Sequence, residues 1–245
     1  MGLSFETRES DSPWIDIVWT CRSEEVTEMT SVASETVGLV FWEQRGVAYA
    51  SVTGPENKCG TAPVPEGAHF VGIQFAVGTA LRMVATPELV NGGVLLPDVG
   101  SRTFALDGEH RETPAADDAE ALVRRLVRDG VLVRDPLVAD LLRGRRPAAA
   151  ERTLERRFRA ATGLTQGAVR QIGRARTAAV LLAGGETASA VVDKLEYYDE
   201  PHLARALRKY VGRTAQQLRT GGGGDIALDP DQRTTSYTSL LTPLE

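Results

Sequence analysis

The stretch ERTLERRFRAATGLT, residues 151–165, decides how this chain folds. Leu154, Phe158 and Ala161 recur at helical spacing and share one face, while the arginine and glutamate side chains between them fall elsewhere. Gly163 follows the last turn, where glycine commonly ends a helix. The pattern predicts a helix with an apolar back and an arginine-bearing front. Such a helix can be held on a domain while its front contacts base edges and phosphates.

A long helix is predicted immediately after this stretch. Thr165 is a good N-cap, and Gly184 with Gly185 ends the pattern. The inner face is predicted to hold Val169, Ile172, Ala175, Ala179 and Leu182. The outer face is predicted to hold Arg170, Arg174 and Arg176. Upstream, Pro136 opens a short helix through Leu142, and residues 144–147 break it.

A second arginine-bearing helix is predicted near the end of the helical half. A short helix over residues 188–195 precedes it, and Pro201 suits its first turn because a proline there loses no hydrogen bond. Its buried back consists of Leu203, Leu207 and Tyr210. Its exposed face consists of Arg205, Arg208 and Lys209. Periodicity alone is equally compatible with a plain helical bundle whose arginine faces are solvated.

The N-terminal half is strand-like from Trp14 to about Leu106. Short, apolar, β-branched runs are separated by turn-forming residues such as Gly54-Pro55 and Asn91-Gly92-Gly93. The runs are residues 15–19, 37–42, 47–52, 70–77 and 94–96. They predict a small β-barrel or sandwich of cupin-like type that could hold a small ligand. A flanking amphipathic helix over residues 119–127 either packs on the sheet or forms a dimer seam, so the fold class is α+β.

Charge is divided unequally along the chain. The 245 residues carry a net charge of −5, but residues 1–136 hold 11 basic and 21 acidic side chains, whereas residues 137–219 hold 16 basic and 8 acidic ones. Fourteen of those 16 basic residues are arginine, whose planar fork of donors suits phosphates and guanine edges. A basic half is typical of nucleic-acid binding. Solvated helix surfaces in an arginine-rich protein would give the same count.

Several other classes are disfavoured by composition. The ordinary hydrophobic content of 42% excludes wholesale disorder, and no apolar run is long enough for a membrane-spanning helix. The N-terminal residues show no secretory signal, and Cys21 and Cys59 predict reduced thiols. His69 and His110 belong to no metal or catalytic motif, and Gly221–Gly224 lacks the Lys-Ser/Thr of a phosphate loop. We therefore expect no enzyme, no metal and no cofactor.

Three blocks of the helical half resemble the AraC/XylS family of bacterial transcription regulators. They are ERTLERRFRAATGLT, VRQIGRARTAAVLLAGGET and VDKLEYYDEPHLARALRKYVGRTAQQLR, in this order and at the family's spacing. The resemblance implies two helix-turn-helix units joined by one long helix, with a recognition helix from each in adjacent major grooves. The implied base-reading residues are Arg152, Thr153, Glu155 and Arg156 in the first unit and Glu200, Pro201, His202 and Arg205 in the second. Arg159 and Arg208 are implied to contact phosphates.

The chain departs from the family pattern at several positions. The turn before the second recognition helix usually carries glycine, and here it carries Glu196; if its φ is positive, the side chain costs roughly 1 kcal/mol or more. Ala150 stands where a capping residue is usual, a loss of about 1 kcal/mol. Glu155 and Glu200 place acid near DNA, where glutamate can accept from cytosine N4 but repels phosphate.

The sequence thus predicts a cytoplasmic, bacterial one-component regulator of double-stranded promoter DNA. Its expected organisation is a sensor or dimerisation domain (1–135), a DNA-binding domain (136–220) and a flexible tail (221–245) in which Tyr237, Leu240 and Leu241 could dock. Such a regulator can have three further partners: a small effector whose contact residues are unknown, RNA polymerase and a second copy of the chain. No membrane partner is expected. The alternative is a helical protein-interaction module whose arginine-rich face binds an acidic partner.

Overall fold

The computed structural model describes residues 3–24, 28–145, 147–224, 226 and 228 of the chain. Strands dominate up to residue 134 and helices from residue 136 onward, which confirms the α+β fold class. Of the predicted flexible tail, only residues 221–224, 226 and 228 are described, and Tyr237, Leu240 and Leu241 lie outside the described residues. Ile226 and Leu228 pack against the helical core.

The largest sheet has six antiparallel strands in the order β1-β2-β7-β4-β5-β9. Its strands are β1 (Leu3–Arg8), β2 (Ile15–Ser23), β4 (Gly38–Gln44), β5 (Val47–Thr53), β7 (His69–Phe75) and β9 (Gly93–Leu95). Among the described residues the sheet does not close, because β1 pairs only with β2 and the three-residue β9 pairs only with one end of β5. The sequence predicted a small barrel or sandwich of cupin-like type. A closed barrel is therefore wrong, while a cupin-like, strand-rich region is consistent with the structure.

Three small antiparallel pairs complete the strand-rich region. They are β3 (Glu28–Ser31) with β6 (Gly60–Pro63), β8 (Thr79–Leu81) with β12 (Leu132–Arg134), and β10 (Thr103–Leu106) with β11 (Glu109–Glu112). The pair β3-β6 and one face of the large sheet both line the same cavity. Two short 3₁₀ turns, Thr86–Leu89 and Ala116–Asp118, connect the remaining segments.

The other face of the large sheet is covered by helix α1 (Ala119–Arg128). The stripe predicted from the sequence is buried there, with Leu122, Val123 and Leu126 fully inaccessible and packed among residues such as Leu39 and Ile73. Of the two roles the sequence left open for this helix, packing on the sheet is the one observed. Burial of such side chains stabilises the fold by about 1.5–3 kcal/mol each.

Six helices form the second part of the chain. They are α2 (Pro136–Leu142), α3 (Glu151–Thr162), α4 (Gln166–Ala183), α5 (Ala188–Lys194), α6 (Glu200–Tyr210) and α7 (Ala215–Thr220). Along the chain, α2 and α3 precede the long helix α4 and α5 and α6 follow it, as predicted. All five predicted inner residues of α4 are buried. Val32 and Ala33 of the strand-rich region are buried in this helical core, so the two parts of the chain share a packed contact.

Among the residues that the structure describes, no helix is both long enough and apolar enough to cross a membrane. The α4 helix has 18 residues, but arginine side chains interrupt its sequence.

Candidate DNA interface and neighbouring cavity

Helix α3 presents a charged front over a buried back. Leu154 and Phe158 are buried, whereas Arg152, Glu155, Arg156 and Arg159 are exposed and Thr153 is half-buried. Ala150 makes no side-chain hydrogen bond as N-cap, as expected, while Gly163 ends the helix in the left-handed conformation with φ 74°. The predicted first-unit residues therefore lie on one accessible helix.

The arginines of α3 differ in their partners. Arg157 pairs with Asp135 at 3.0 Å, and Asp135 also caps α2 by accepting from the Leu137 N–H at 2.9 Å. This pair ties α3 to α2. In contrast, Arg152, Arg156 and Arg159 form no ion pair with any residue that the structure describes, so their guanidinium donors are available to an external anion.

Helix α6 is the counterpart of α3 in the second unit. Asp199 caps it by accepting from the His202 N–H at 2.6 Å, and Pro201 lies in its first turn. Glu200, Pro201, Arg205 and Arg208 are exposed. His202 is half-buried: its ring lies edge-on to Tyr197 at 5.2 Å, and its Nδ1 accepts from the Tyr198 N–H at 3.4 Å.

The turn between α5 and α6 contains a strained residue and an exposed aromatic one. Glu196 has φ 56°, so the family's glycine position does require a left-handed backbone here. Tyr198 is 90% exposed beside the start of α6. Tyr198 was given no role from the sequence, and its exposure makes it a candidate interface residue. The feature that could have identified Tyr198 in the sequence is that this aromatic residue falls outside the apolar stripe of either neighbouring helix.

Helix α6 is locked onto α4 by polar and aromatic contacts. The Tyr210 hydroxyl donates to Gln171 Oε1 at 2.8 Å and accepts from Lys209 Nζ at 2.9 Å. The Arg174 guanidinium lies 4.4 Å from the centre of the Tyr197 ring. Burial raises the pKa of Tyr197, and the neighbouring Arg174 opposes that rise. The prediction that Arg174 lies on an outer face is therefore wrong, because α6 covers that side of α4.

Residues 145–221 match the family model of a helix-turn-helix domain. The match spans α3 to α7. The chain carries an AraC-type helix-turn-helix domain. The resemblance drawn from the sequence is confirmed for this part of the chain, which is a DNA-binding helix-turn-helix domain of AraC type. The matched family is a DNA-binding family and not a catalytic one. Comparison with curated proteins and with solved structures found no match.

The C-terminal end of α6 in this AraC-type domain is capped by the strand-rich region. The last carbonyls of a helix have no partner within the helix. Here the Tyr210 carbonyl accepts from the Ala33 N–H at 2.8 Å, and the Lys209 carbonyl accepts from the Cys59 N–H at 2.8 Å. The Cys59 thiol donates to the Arg208 carbonyl at 3.4 Å. The C-terminal end of α6 is thus held by two backbone N–H groups and one thiol of the N-terminal region.

A cavity of about 780 Å³ lies beside this contact, on the face of the large sheet opposite α1. Its size is within the range of sites for small organic ligands. The sheet contributes a largely aromatic wall that includes Phe5, Trp19, Val40, Trp42 and Phe70. Phe5 stacks on Trp19 at 5.3 Å, and Trp42 stacks on Phe70 at 6.1 Å.

Gly72 makes room for this aromatic wall. It pairs with Trp19 across β2 and β7, and a Cβ placed on Gly72 would lie 1.9 Å from Cε2 of the Trp19 indole. The indole therefore lies directly over the glycine. Any side chain at this position would displace Trp19.

Three charged residues from outside the sheet line the cavity: Glu56, Glu66, which is exposed, and Arg176. Glu56 Oε2 accepts from the Ser31 hydroxyl at 2.8 Å, and burial raises the pKa of Glu56. Arg176 of α4 lines the same cavity and pairs with Glu35 at 3.7 Å. The predicted outer-face position of Arg176 is wrong, because the strand-rich region covers that part of α4. No group of three or more His, Cys, Asp or Glu side chains suited to a metal occurs among the described residues.

Proposed function

We propose that this AraC-type regulator reads double-stranded promoter DNA with α3 and α6 in two adjacent major grooves on one face of the duplex. The main support is the arrangement of each helix, which has a buried back and an exposed front that carries arginines. The guanidinium groups on these fronts form no ion pair with a described residue. The proposed base-reading residues are Arg152, Thr153, Glu155, Arg156, Glu200, Pro201, His202 and Arg205. The proposed organisation remains a sensor over 1–135 and a reader over 136–220.

Affinity and sequence choice come from different contacts. Arg159 and Arg208 would neutralise phosphates, which gives strength without sequence information. Arg156 would donate to guanine edges, whereas Glu155 and Glu200 would accept from cytosine N4. Arg157 is left out of this set because its guanidinium already pairs with Asp135.

We further propose that an effector in the aromatic cavity modulates DNA binding. Support comes from residues 30–34, which we call the coupling segment. Its Ser31, Val32 and Ser34 line the cavity, and its Ala33 donates to the C-terminal end of α6. Because one short segment touches both, a ligand that moves the cavity wall would bias the position of α6. RNA polymerase contact, a homodimer and a bacterial cytoplasmic location are retained as proposals.

The DNA-reading proposal is tested with the full chain. A selection from random duplex DNA supplies the preferred site, and fluorescence anisotropy then measures affinity against salt concentration. Arg156→Ala is expected to weaken binding by about 1–3 kcal/mol and to relax the preference at one base pair. Arg208→Ala is expected to weaken binding to all sequences alike and to reduce the salt slope by about one.

Arg102→Ala is the matched control, since Arg102 is an exposed arginine on the strand-rich region. It should leave both affinity and salt slope unchanged. A flat salt dependence, or no preference for any sequence, would contradict the proposal. Binding to an acidic protein but not to DNA would favour the interaction-module alternative.

A further inference from the structure

The cavity combines aromatic surfaces with one partly buried carboxylate that has no ion pair to a described residue. Glu56 is fixed from two sides: its Oε2 accepts from Ser31, and its backbone N–H donates to the Ser34 carbonyl. Aromatic faces carry negative charge at their centres and attract organic cations. A carboxylate beside such faces supplies the full opposite charge.

Arg176 does not offset this carboxylate. Its guanidinium lies 3.7 Å from Glu35, whose side chain is 0% exposed. A buried carboxylate requires a compensating charge because removing it from water is costly. The positive charge of Arg176 is thus engaged with Glu35. An acidic ligand seeking Arg176 would compete with that buried group.

We propose that the cavity binds a small aromatic organic cation, with Glu56 as its counter-charge and the rings of Trp19 and Trp42 as its walls. The ligand class itself does not depend on the proposed function. Only the expected effect of the ligand on DNA binding rests on it. The volume of about 780 Å³ accommodates a ligand of two or three fused rings. Burial of its rings provides most of the binding energy, while the ammonium group selects it over neutral and acidic analogues.

The cation would also act on the coupling segment. Ser31, which donates to the Glu56 carboxylate, is a cavity-lining residue of that segment. A cation that attracts Glu56 competes with the Ser31 hydroxyl for the same carboxylate oxygens. The coupling segment, which holds the end of α6 through Ala33, therefore responds to the ligand through the hydrogen bond between Ser31 and Glu56.

The ligand class is tested by isothermal titration calorimetry on the full chain without DNA. Three probes share one ring system: 2-naphthylmethylammonium, 2-naphthalenemethanol and 2-naphthoate, which are cationic, neutral and anionic. The ammonium is expected to bind at least about tenfold more tightly than the alcohol, and the carboxylate more weakly than the alcohol.

Two substitutions identify the groups responsible. Glu56→Gln should remove the preference for the ammonium while leaving the affinity for the alcohol within about twofold, which also shows that the cavity remains folded. Glu88→Gln, at an exposed glutamate outside the cavity, is the matched control and should change nothing. Trp42→Ala should weaken all three probes.

Tighter binding of 2-naphthoate, no binding of any probe, or an unchanged preference in Glu56→Gln would each overturn the proposal. DNA anisotropy with and without the ammonium then tests regulation separately. If the ammonium binds by calorimetry but leaves DNA affinity unchanged, the ligand class stands and the proposed modulation fails.

Discussion

Replacing Glu196 by glycine should stabilise the protein, although it removes a whole side chain. Glu196 has φ 56°, in the left-handed region where an L-residue is strained by roughly 1–2 kcal/mol. The side chain is exposed and forms no hydrogen bond or ion pair with a described residue, so its loss removes no stabilising contact. Glycine relieves the strain but gains about 0.4–1 kcal/mol of extra freedom in the unfolded chain. The expected net stabilisation is about 0.5–1 kcal/mol.

Thermal and urea denaturation measure this difference. For a chain of 245 residues, the expected rise in Tm is about 1–4 °C. Glu196→Asn is a second variant, because asparagine tolerates the left-handed region and lacks the additional freedom of glycine. It should stabilise the protein as well.

The matched control makes the same substitution where φ is helical. Glu155 is exposed in the interior of α3 and forms no ion pair with a described residue. Glu155→Gly should therefore destabilise the protein by about 1 kcal/mol, the ordinary penalty of glycine in a helix. A lower Tm for Glu196→Gly, or equal effects of the two glycine substitutions, would refute the strain argument.

Two further outcomes follow from the strand-rich region. Gly72→Ala should destabilise the fold by about 1–3 kcal/mol and weaken the binding of naphthyl ligands, because the new Cβ would overlap the Trp19 indole. Gly60→Ala is the control, since its Cβ meets nothing within 4 Å. It should be nearly neutral in the same denaturation and calorimetry experiments. Glu120, held at 2.7 Å by Arg8, has its pKa lowered from 4.5 to about 2. Its ion pair therefore stabilises the fold above about pH 4.5 and is lost as the pH falls through about 2. Measured against pH, the Tm advantage of wild type over Glu120→Gln should shrink across that interval, and a constant difference would contradict it.

Helix positions and helix ends were predicted well because they depend on local rules. Capping of α4 by Thr165, the left-handed Gly163 and the strained turn at Glu196 all agree with the structure. The missing cap at Ala150 is also observed. These features involve residues a few positions apart, so single-sequence reasoning reaches them.

Short strands and covered arginines were missed for a common reason. The strands β3, β6, β8, β10, β11 and β12 have only three or four residues each, too few to establish a period. Arg174 and Arg176 fall outside the apolar stripe of α4, yet both are half-buried. Helical periodicity identifies one buried face, and it does not reveal that α6 and the strand-rich region cover further sides.

The sequence alone determined helices α3, α4 and α6, the Thr165 cap of α4 and the arginine-bearing faces of α3 and α6, because a helix is specified by residues a few positions apart. The cavity was decided only by the tertiary structure. Glu56 directly follows the turn residues Gly54-Pro55, and Gly72 lies in the predicted strand over residues 70–77, but the sequence assigned a role to neither residue. In the structure, Glu56 accepts a hydrogen bond from Ser31 in the cavity, and Gly72 lies beneath the indole of Trp19. Strand pairing brings these distant residues together, and no local pattern encodes which strands become neighbours.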